Sequence, residues 1–242
     1  MQFFIVLNYL NMIFKQLFDN KSSTYTYIVS SGEGREALII DPVIENTDEY
    51  IKVLNNLKLK LVKVIDTHIH ADHITGLNEL SKRTKCTKIM GEHSKSEVID
   101  IKIKDGEKIK IENKIELEAI YTPGHTDCSY SYLMNDRVFT GDTLLINGTG
   151  RTDFQNGSAK DSYNSIFNKL LKLPENTIVY PAHDYKGKTS STIGSEKSKN
   201  PRLQVNSIDQ YIEIMENLNL ANPKMMDVAI PANVKGLTLD QI

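Results

Sequence analysis

The sequence has no tryptophan, only two cysteines in 242 residues, and no excess of charge, since 29 Lys and Arg stand against 31 Asp and Glu. Two cysteines, Cys86 and Cys128, cannot frame a disulfide scaffold and read as free, partly buried thiols in a reducing compartment. Balanced charge and a pI near 6.3 exclude a nucleic-acid binder that works through a broad basic face. No apolar run of roughly 18 residues occurs, so no membrane partner is expected. Residues 1–10 are apolar, yet they lack the basic start and cleavage site of a secretory signal and the Arg-rich pattern of a mitochondrial one. Residues 1–11 therefore read as an N-terminal extension of unassigned role before a single domain, residues 12–242. With 40% apolar and 25% charged residues, that domain has an ordinary globular composition and length enough for a sizeable core.

Along the chain, strand-like and helix-like segments alternate. Residues 24–29 (TYTYIV) and 37–40 (ALII) flank a Gly32-Glu33-Gly34 turn and suggest a hairpin. In residues 46–57 the period changes: Tyr50, Val53, Leu54 and Leu57 share one helical face, with Asp48 and Glu49 in the first turn. Residues 61–65 (LVKVI) form a short apolar strand running into Asp66-Thr67-His68. Residues 87–90, 114–121, 128–134 and 137–140 read as further strands. Ser158 with Asp161 resembles a capping box ahead of a helix whose apolar face is Tyr163, Ile166, Phe167, Leu170 and Leu171, ended by Pro174. Residues 177–180 (TIVY) are a buried-type strand, and Ser207 with Gln210 caps a last helix. Residues 186–199, rich in Lys, Ser, Thr and Gly, read as a surface excursion.

The chemistry lies at strand ends. His68-Ile69-His70-Ala71-Asp72-His73 puts four potential metal ligands directly after an apolar strand. Residues two apart in extended chain project to one side, so His68 and His70 can face one point, and the chain then turns into a helix that brings Asp72 and His73 near it. Unpaired His and Asp seldom crowd in this way without a charge to hold them. Three further strand ends carry His125 in Thr122-Pro123-Gly124-His125-Thr126-Asp127, Asp142 after Gly141, and His183 in Tyr180-Pro181-Ala182-His183-Asp184-Tyr185. Gly141 would allow close backbone approach beside Asp142. Spacing alone points to two metals, with Asp142 bridging and His183 on the second. His93 reads as a surface residue, and the two cysteines as packing residues, with Cys128 the one open to oxidation.

HxHxDH, TPGHT, FTGD and YPAHD, in this order, resemble the metallo-β-lactamase superfamily. The resemblance implies an α/β (α+β) fold, an αββα sandwich of two mixed β-sheets flanked by helices with a metal cleft along one edge. A finer resemblance, to the persulfide dioxygenases, is carried by residues 12–19 (MIFKQLFD), 23–27 (STYTY), Gly150-Arg151-Thr152-Asp153-Phe154-Gln155, Asn200-Pro201-Arg202-Leu203 and Pro231-Ala232-Asn233. It implies oxidation of glutathione persulfide by O2 and water to glutathione and sulfite, in sulfide detoxification. It also implies one Fe(II) per chain on His68, His125 and Asp142, with His70, Asp72, His73 and His183 around the iron. Zinc, which has no accessible redox change, could not serve.

Arg151 reads equally as a residue that holds a glutathione carboxylate or organises the pocket wall and as a structural salt-bridge partner of Asp153. Tyr185 reads as a hydroxyl aimed at the open iron positions or as a packing residue, alongside His183 and Asp72 as supporting groups. The alternative is a glyoxalase II-like hydroxyacylglutathione (thioester) hydrolase, with two Zn or Fe ions and a bridging hydroxide. Against it, that family's longer C-terminal helical domain has no room in the about sixty residues after His183. An exposed strand edge would suit a homodimer. An intracellular setting is expected, the mitochondrial matrix in a eukaryote or the cytoplasm in a bacterium.

Overall fold

The computed structural model describes residues 12–242, so the expected extension, residues 1–11, lies outside the described residues. Six strands build the first sheet: β1 (Ile13–Asp19), β2 (Thr24–Ser30), β3 (Glu36–Ile40), β4 (Lys60–Ile65), β5 (Thr87–Gly91) and β6 (Ile101–Ile103), in that spatial order. The pairings β1–β2 and β2–β3 are antiparallel, and those from β3 to β6 are parallel. The second sheet uses β7 (Lys108–Ile111), β8 (Ile115–Tyr121), β9 (Tyr130–Met134), β10 (Arg137–Gly141), β13 (Ile178–Pro181) and β14 (Ser191–Thr192), ordered β14-β13-β10-β9-β8-β7. Only β10–β13 is parallel there. A small ribbon, β11 (Leu144–Leu145) with β12 (Gly148–Thr149), leaves its edge beside Asp142.

Strand alternation sorts side chains into layers. Tyr27, Val29, Leu38, Ile40 and Ile65 turn inward and meet Ile111, Leu117, Ala119, Tyr132 and Phe139 of the other sheet. Ile28, Ala37, Ile39 and Val64 turn outward under α1 (Thr47–Asn56) and α2 (Leu77–Thr84), through Tyr50, Leu54, Leu77 and Leu80. Val138 and Val179 turn outward under α3 (Ala159–Asn168), α4 (Ile193–Lys199) and α5 (Ile208–Glu216), through Ile166, Ile193, Tyr211 and Met215. Each such side chain taken from water contributes about 1.5–3 kcal/mol. Because β2 is covered on both faces, all seven of its residues are buried. The expected αββα sandwich of two mixed sheets is the fold observed.

The segment 186–199 departs from the expectation of a surface excursion: it supplies β14 and α4, with Ile193 and Glu196 fully buried. Its polar composition hides this because Glu196 is paired internally, accepting from Asn147 N, Ser191 Oγ and Asn200 Nδ2. At Ser158 the cap forms, with Oγ accepting from Asp161 N. His93 is exposed, as expected, with its ring stacked at 4.0 Å on Tyr121.

The loops after β4, β8, β10 and β13 emerge at one end of the sandwich, and two glycines let them converge. Gly124, at φ +141°, leaves a would-be Cβ 2.3 Å from the Ser162 Cα. Gly141, at φ +52°, would put one 2.6 Å from Thr67 Oγ1. Gly124→Ala adds both a strained φ and an overlap, so we expect a loss of about 3 kcal/mol, read as a lower urea midpoint for the metal-free protein.

Candidate metal centre

His68 follows β4, His125 follows β8, Asp142 follows β10 and His183 follows β13. One ligand atom from each of His68, His125 and Asp142 lies within 4.8 Å of the other two, as do atoms of His70, Asp72 and His73. The rings of His68 and His125 meet edge-on at 5.0 Å.

Hydrogen bonds set each ring's tautomer. His125 Nδ1–H donates to the Arg151 carbonyl at 2.8 Å, which leaves Nε2 as the free nitrogen, 3.6 Å from Asp142 Oδ2. Thr67 Oγ1 donates to Asp41 Oδ2 at 3.0 Å. With its own proton so used, it accepts from His68 Nδ1–H at 2.9 Å, and His68 Nε2 keeps its lone pair. Such outer partners orient metal-ligating histidines and raise their basicity. Burial, then the neighbouring His70 and His125, pull His68 well below the usual histidine range. Burial alone would raise Asp142, but the charge and hydrogen bond of His183, together with the neighbouring His125 and His68, outweigh burial and hold the carboxyl below its ordinary value. A neutral imidazole and an ionised carboxylate are the forms that bind metal. Gly150 completes the approach, since a Cβ there would meet the Asp142 carbonyl at 2.1 Å and the His125 ring at 2.9 Å.

His183 is held differently. Its Nδ1 donates to Asp142 Oδ1 at 2.7 Å and its Nε2 to Asp72 Oδ2 at 2.8 Å. Burial lowers its affinity for a proton, yet the two carboxylates outweigh burial and push it well above the histidine range. Asp72 also accepts from His73 Nδ1 at 3.0 Å. Two ring nitrogens are left buried without partners, His70 Nδ1 and His73 Nε2.

The residues expected from sequence are thus brought together, with Arg151 and Tyr185 in the lining of the same cleft. Arg151 forks onto Asp153 at 2.6 and 2.5 Å, donates to the Ala221 carbonyl at 2.7 Å and covers the Phe154 ring at 4.6 Å, within the cleft wall. Tyr185 is 71% exposed, against the packing reading, with its ring parallel to that of His183 at 6.1 Å. Cys86 and Cys128 are buried, and burial raises both thiols, so both pack as expected.

Sequence reasoning missed several groups. Thr24 Oγ1 touches His183 Nε2 at 3.0 Å and Asp72 Oδ2 at 3.2 Å. Asp41 receives Thr67 N at 2.7 Å and His70 Nε2 at 3.2 Å. An acidic residue directly after the buried ALII run is the same strand-end signal that exposed the histidines. Arg202 lines the cleft, bonded through Nη1 to the carbonyl and hydroxyl of Thr149, and among the described residues it has no carboxylate partner. The cleft, about 260 Å³, opens from His125, Asp142 and His183 between apolar Leu145, Ile146, Phe154, Leu220 and Pro223, with Lys186 and Arg202 at its wall.

Comparison with known proteins agrees with this geometry. The metallo-beta-lactamase superfamily model matches residues 19–183, and the chain belongs to that superfamily. "Persulfide dioxygenase ETHE1, mitochondrial" of Mus musculus is 43% identical over 227 residues, 93% of this chain and 88% of that one. The crystal structure of ETHE1 from Myxococcus xanthus superposes with a TM-score of 0.90 at 47% identity, covering 92% of this chain and 98% of its own. Within the superfamily the chain belongs to the persulfide dioxygenase family. A hydroxyacylglutathione hydrolase of Dictyostelium discoideum is similar at 32% over 80% of this chain and 74% of its own.

Behind the ligands, Asp66 is buried beside Asp41, and its Oδ1 has no partner. Burial, then the Asp41 charge, raises its carboxyl well above the ordinary 3.8, while burial raises Asp41 to about 6. A raised carboxyl favours folding below its unfolded value and loses that contribution as pH rises toward its folded value. Asn cannot ionise, so we expect metal-free Asp66→Asn to gain stability relative to the parent as pH rises from about 4 to 7. Urea midpoints at four pH values would measure this, and a constant difference would refute it.

Proposed function

We propose that this persulfide dioxygenase holds one ferrous iron per chain on His68, His125 and Asp142. There it oxidises glutathione persulfide with O2 and water to glutathione and sulfite, in sulfide detoxification. The observation that carries this reading is the face of two histidines and one carboxylate beside a cleft. Bound there, iron would supply the change of valence and up to three positions for reactants that zinc chemistry lacks.

The chain's own residues do the rest. The His125–Arg151 and His68–Thr67–Asp41 bonds keep both Nε2 lone pairs aimed without reorganisation. His183 occupies Asp142 Oδ1, so Oδ2 is the oxygen presented beside His125. Leu145, Ile146 and Phe154 exclude water from the reacting end of the cleft. Glutathione persulfide is anionic through two carboxylates and an acidic terminal sulfur, which suits a wall bearing Lys186 and Arg202. Arg202 takes a carboxylate because its guanidinium has no acid of its own, whereas Arg151 is committed to Asp153 and shapes the wall. Tyr185 at the mouth offers its hydroxyl to the peptide.

One observation favours the rival thioester hydrolase: His70 Nδ1 and His73 Nε2 are unpartnered, and both residues sit with Asp72 in a second ligand trio. Against it, the persulfide dioxygenase relative is the more similar of the two, at 43% identity against 32% for the hydroxyacylglutathione hydrolase.

Oxygen uptake on adding glutathione persulfide to the iron-reconstituted protein, with metal assayed on the same sample, separates the two. We expect about one iron per chain and rapid uptake, both abolished in His125→Ala and Asp142→Ala. Two metals, no uptake and cleavage of S-lactoylglutathione would establish the hydrolase. Arg202→Ala should raise KM for glutathione persulfide by about tenfold or more, the worth of a charge-assisted hydrogen bond. Steady-state kinetics should find kcat within about twofold of the parent, since the residue binds the same part of substrate before and during reaction.

A further inference from the structure

One buried polar group has no part in the scheme above: the side-chain amide of Asn233, 5% exposed, on the C-terminal helix α6 (Met226–Lys235). Its Nδ2 donates to the backbone carbonyl of His70 at 2.9 Å and to that of His73 at 3.0 Å. Its Oδ1 accepts from Thr75 N at 2.8 Å. The partners fix the amide's orientation, because only nitrogen can face two carbonyls and only oxygen an N–H. Three of its four hydrogen-bonding sites therefore go to a single loop, 158 to 163 residues earlier in the chain.

That loop needs outside partners. Residues 66–74 form no helix or strand, so their buried backbone groups must be satisfied one at a time. Tyr130 N bonds the Thr67 carbonyl at 2.8 Å, Gln155 Nε2 the Ile69 carbonyl at 2.8 Å, and Ile44 N the Ile74 carbonyl at 2.9 Å. The His70 and His73 carbonyls, which bracket the turn of the HxHxDH motif, both go to Asn233. The helix that presents it is seated by further contacts. Ala229 and Ala232 join a buried cluster with Ile44 and Ile74, and Ser96 Oγ donates to the Asn233 and Val234 carbonyls at 3.4 and 3.5 Å.

We propose that Asn233 is a positioning residue for the metal: its amide clamps the turn between His68 and His73. His68 is thereby delivered to the ligand set, while His70 stays on Asp41 and His73 on Asp72. This rests on the ligand assignment made above, and it gives the Pro231-Ala232-Asn233 segment a physical task. A carboxylate of the same shape could still accept from Thr75 N but would oppose two carbonyls instead of binding them.

The test uses the full-length chain and two readouts, Fe(II) affinity by chelator competition and the electron paramagnetic resonance spectrum of the ferrous–nitric oxide adduct. Asn233→Asp should weaken iron binding by about tenfold or more, the usual effect of losing an outer-sphere partner, and should broaden or shift the spectrum. Ser96→Ala, which loosens the same helix without touching the loop, should leave affinity within about twofold and the spectrum unchanged. Should Asn233→Asp not fold, Asn233→Ala removes the bonds without adding charge and carries the same readouts. Unchanged affinity and spectrum in the Asn233 variant, or an equal loss in Ser96→Ala, would overturn the clamp. His125→Ala is run alongside. Iron lost there but kept in the Asn233 variant overturns the clamp alone, and iron kept in both overturns the ligand assignment as well.

Discussion

The site hangs from a carboxylate that never meets the substrate. Asp41 lies fully buried between the sheets and the ligand loop, where it accepts the backbone N–H and hydroxyl of Thr67 and the Nε2–H of His70. Through the Thr67 hydroxyl it fixes the tautomer of His68, and through its own bond it fixes that of His70. Its φ of +51° bends the chain out of β3, a conformation Asp tolerates better than most residues. Its carbonyl is held in turn by Thr26 Oγ1 at 2.7 Å. One group thus joins the core of the first sheet to the orientation of two imidazoles, and every downstream contact of the loop inherits that alignment.

Charge balance around the cleft follows from the same crowding. Buried carboxylates and histidines placed this close cannot each keep an ordinary protonation state. The structure resolves the conflict by pairing: His183 takes a proton between Asp142 and Asp72, while His68 gives up any claim to one. The same crowding that leaves His68 Nε2 without a hydrogen bond engages both ring nitrogens of His183.

Much of this was legible in the sequence, and the boundary of legibility has physical causes. Histidines after buried strands reveal themselves because the strand pattern fixes where the chain emerges, so His68, His125, Asp142 and His183 could be grouped without coordinates. The helix expected to carry Asp72 and His73 begins only at Leu77, and the outer strands β1, β6 and β7 and the helix α6 were not assigned: Lys102, Lys108 and Lys110 lie on solvent faces, and α6 carries Pro231 on its exposed side. Residue 202 and residue 233 could be flagged as part of a familial pattern, but their tasks depend on contacts across much of the chain. Arg151 shows the converse. Both of its readings were visible, but its bond to the Ala221 carbonyl was not, because Ala221 lies 70 residues further along the chain.

The separation of Asn233 from the loop it binds has a bearing on synthesis. A ribosome adding about 5–20 residues per second needs roughly ten to thirty seconds to pass from His70 to Asn233, 163 residues later. Throughout that interval the histidine-rich turn exists without three of its native backbone partners, able to meet any divalent ion in the surrounding pool. The loop therefore completes its set of native backbone partners only once the last α-helix has been made and has docked.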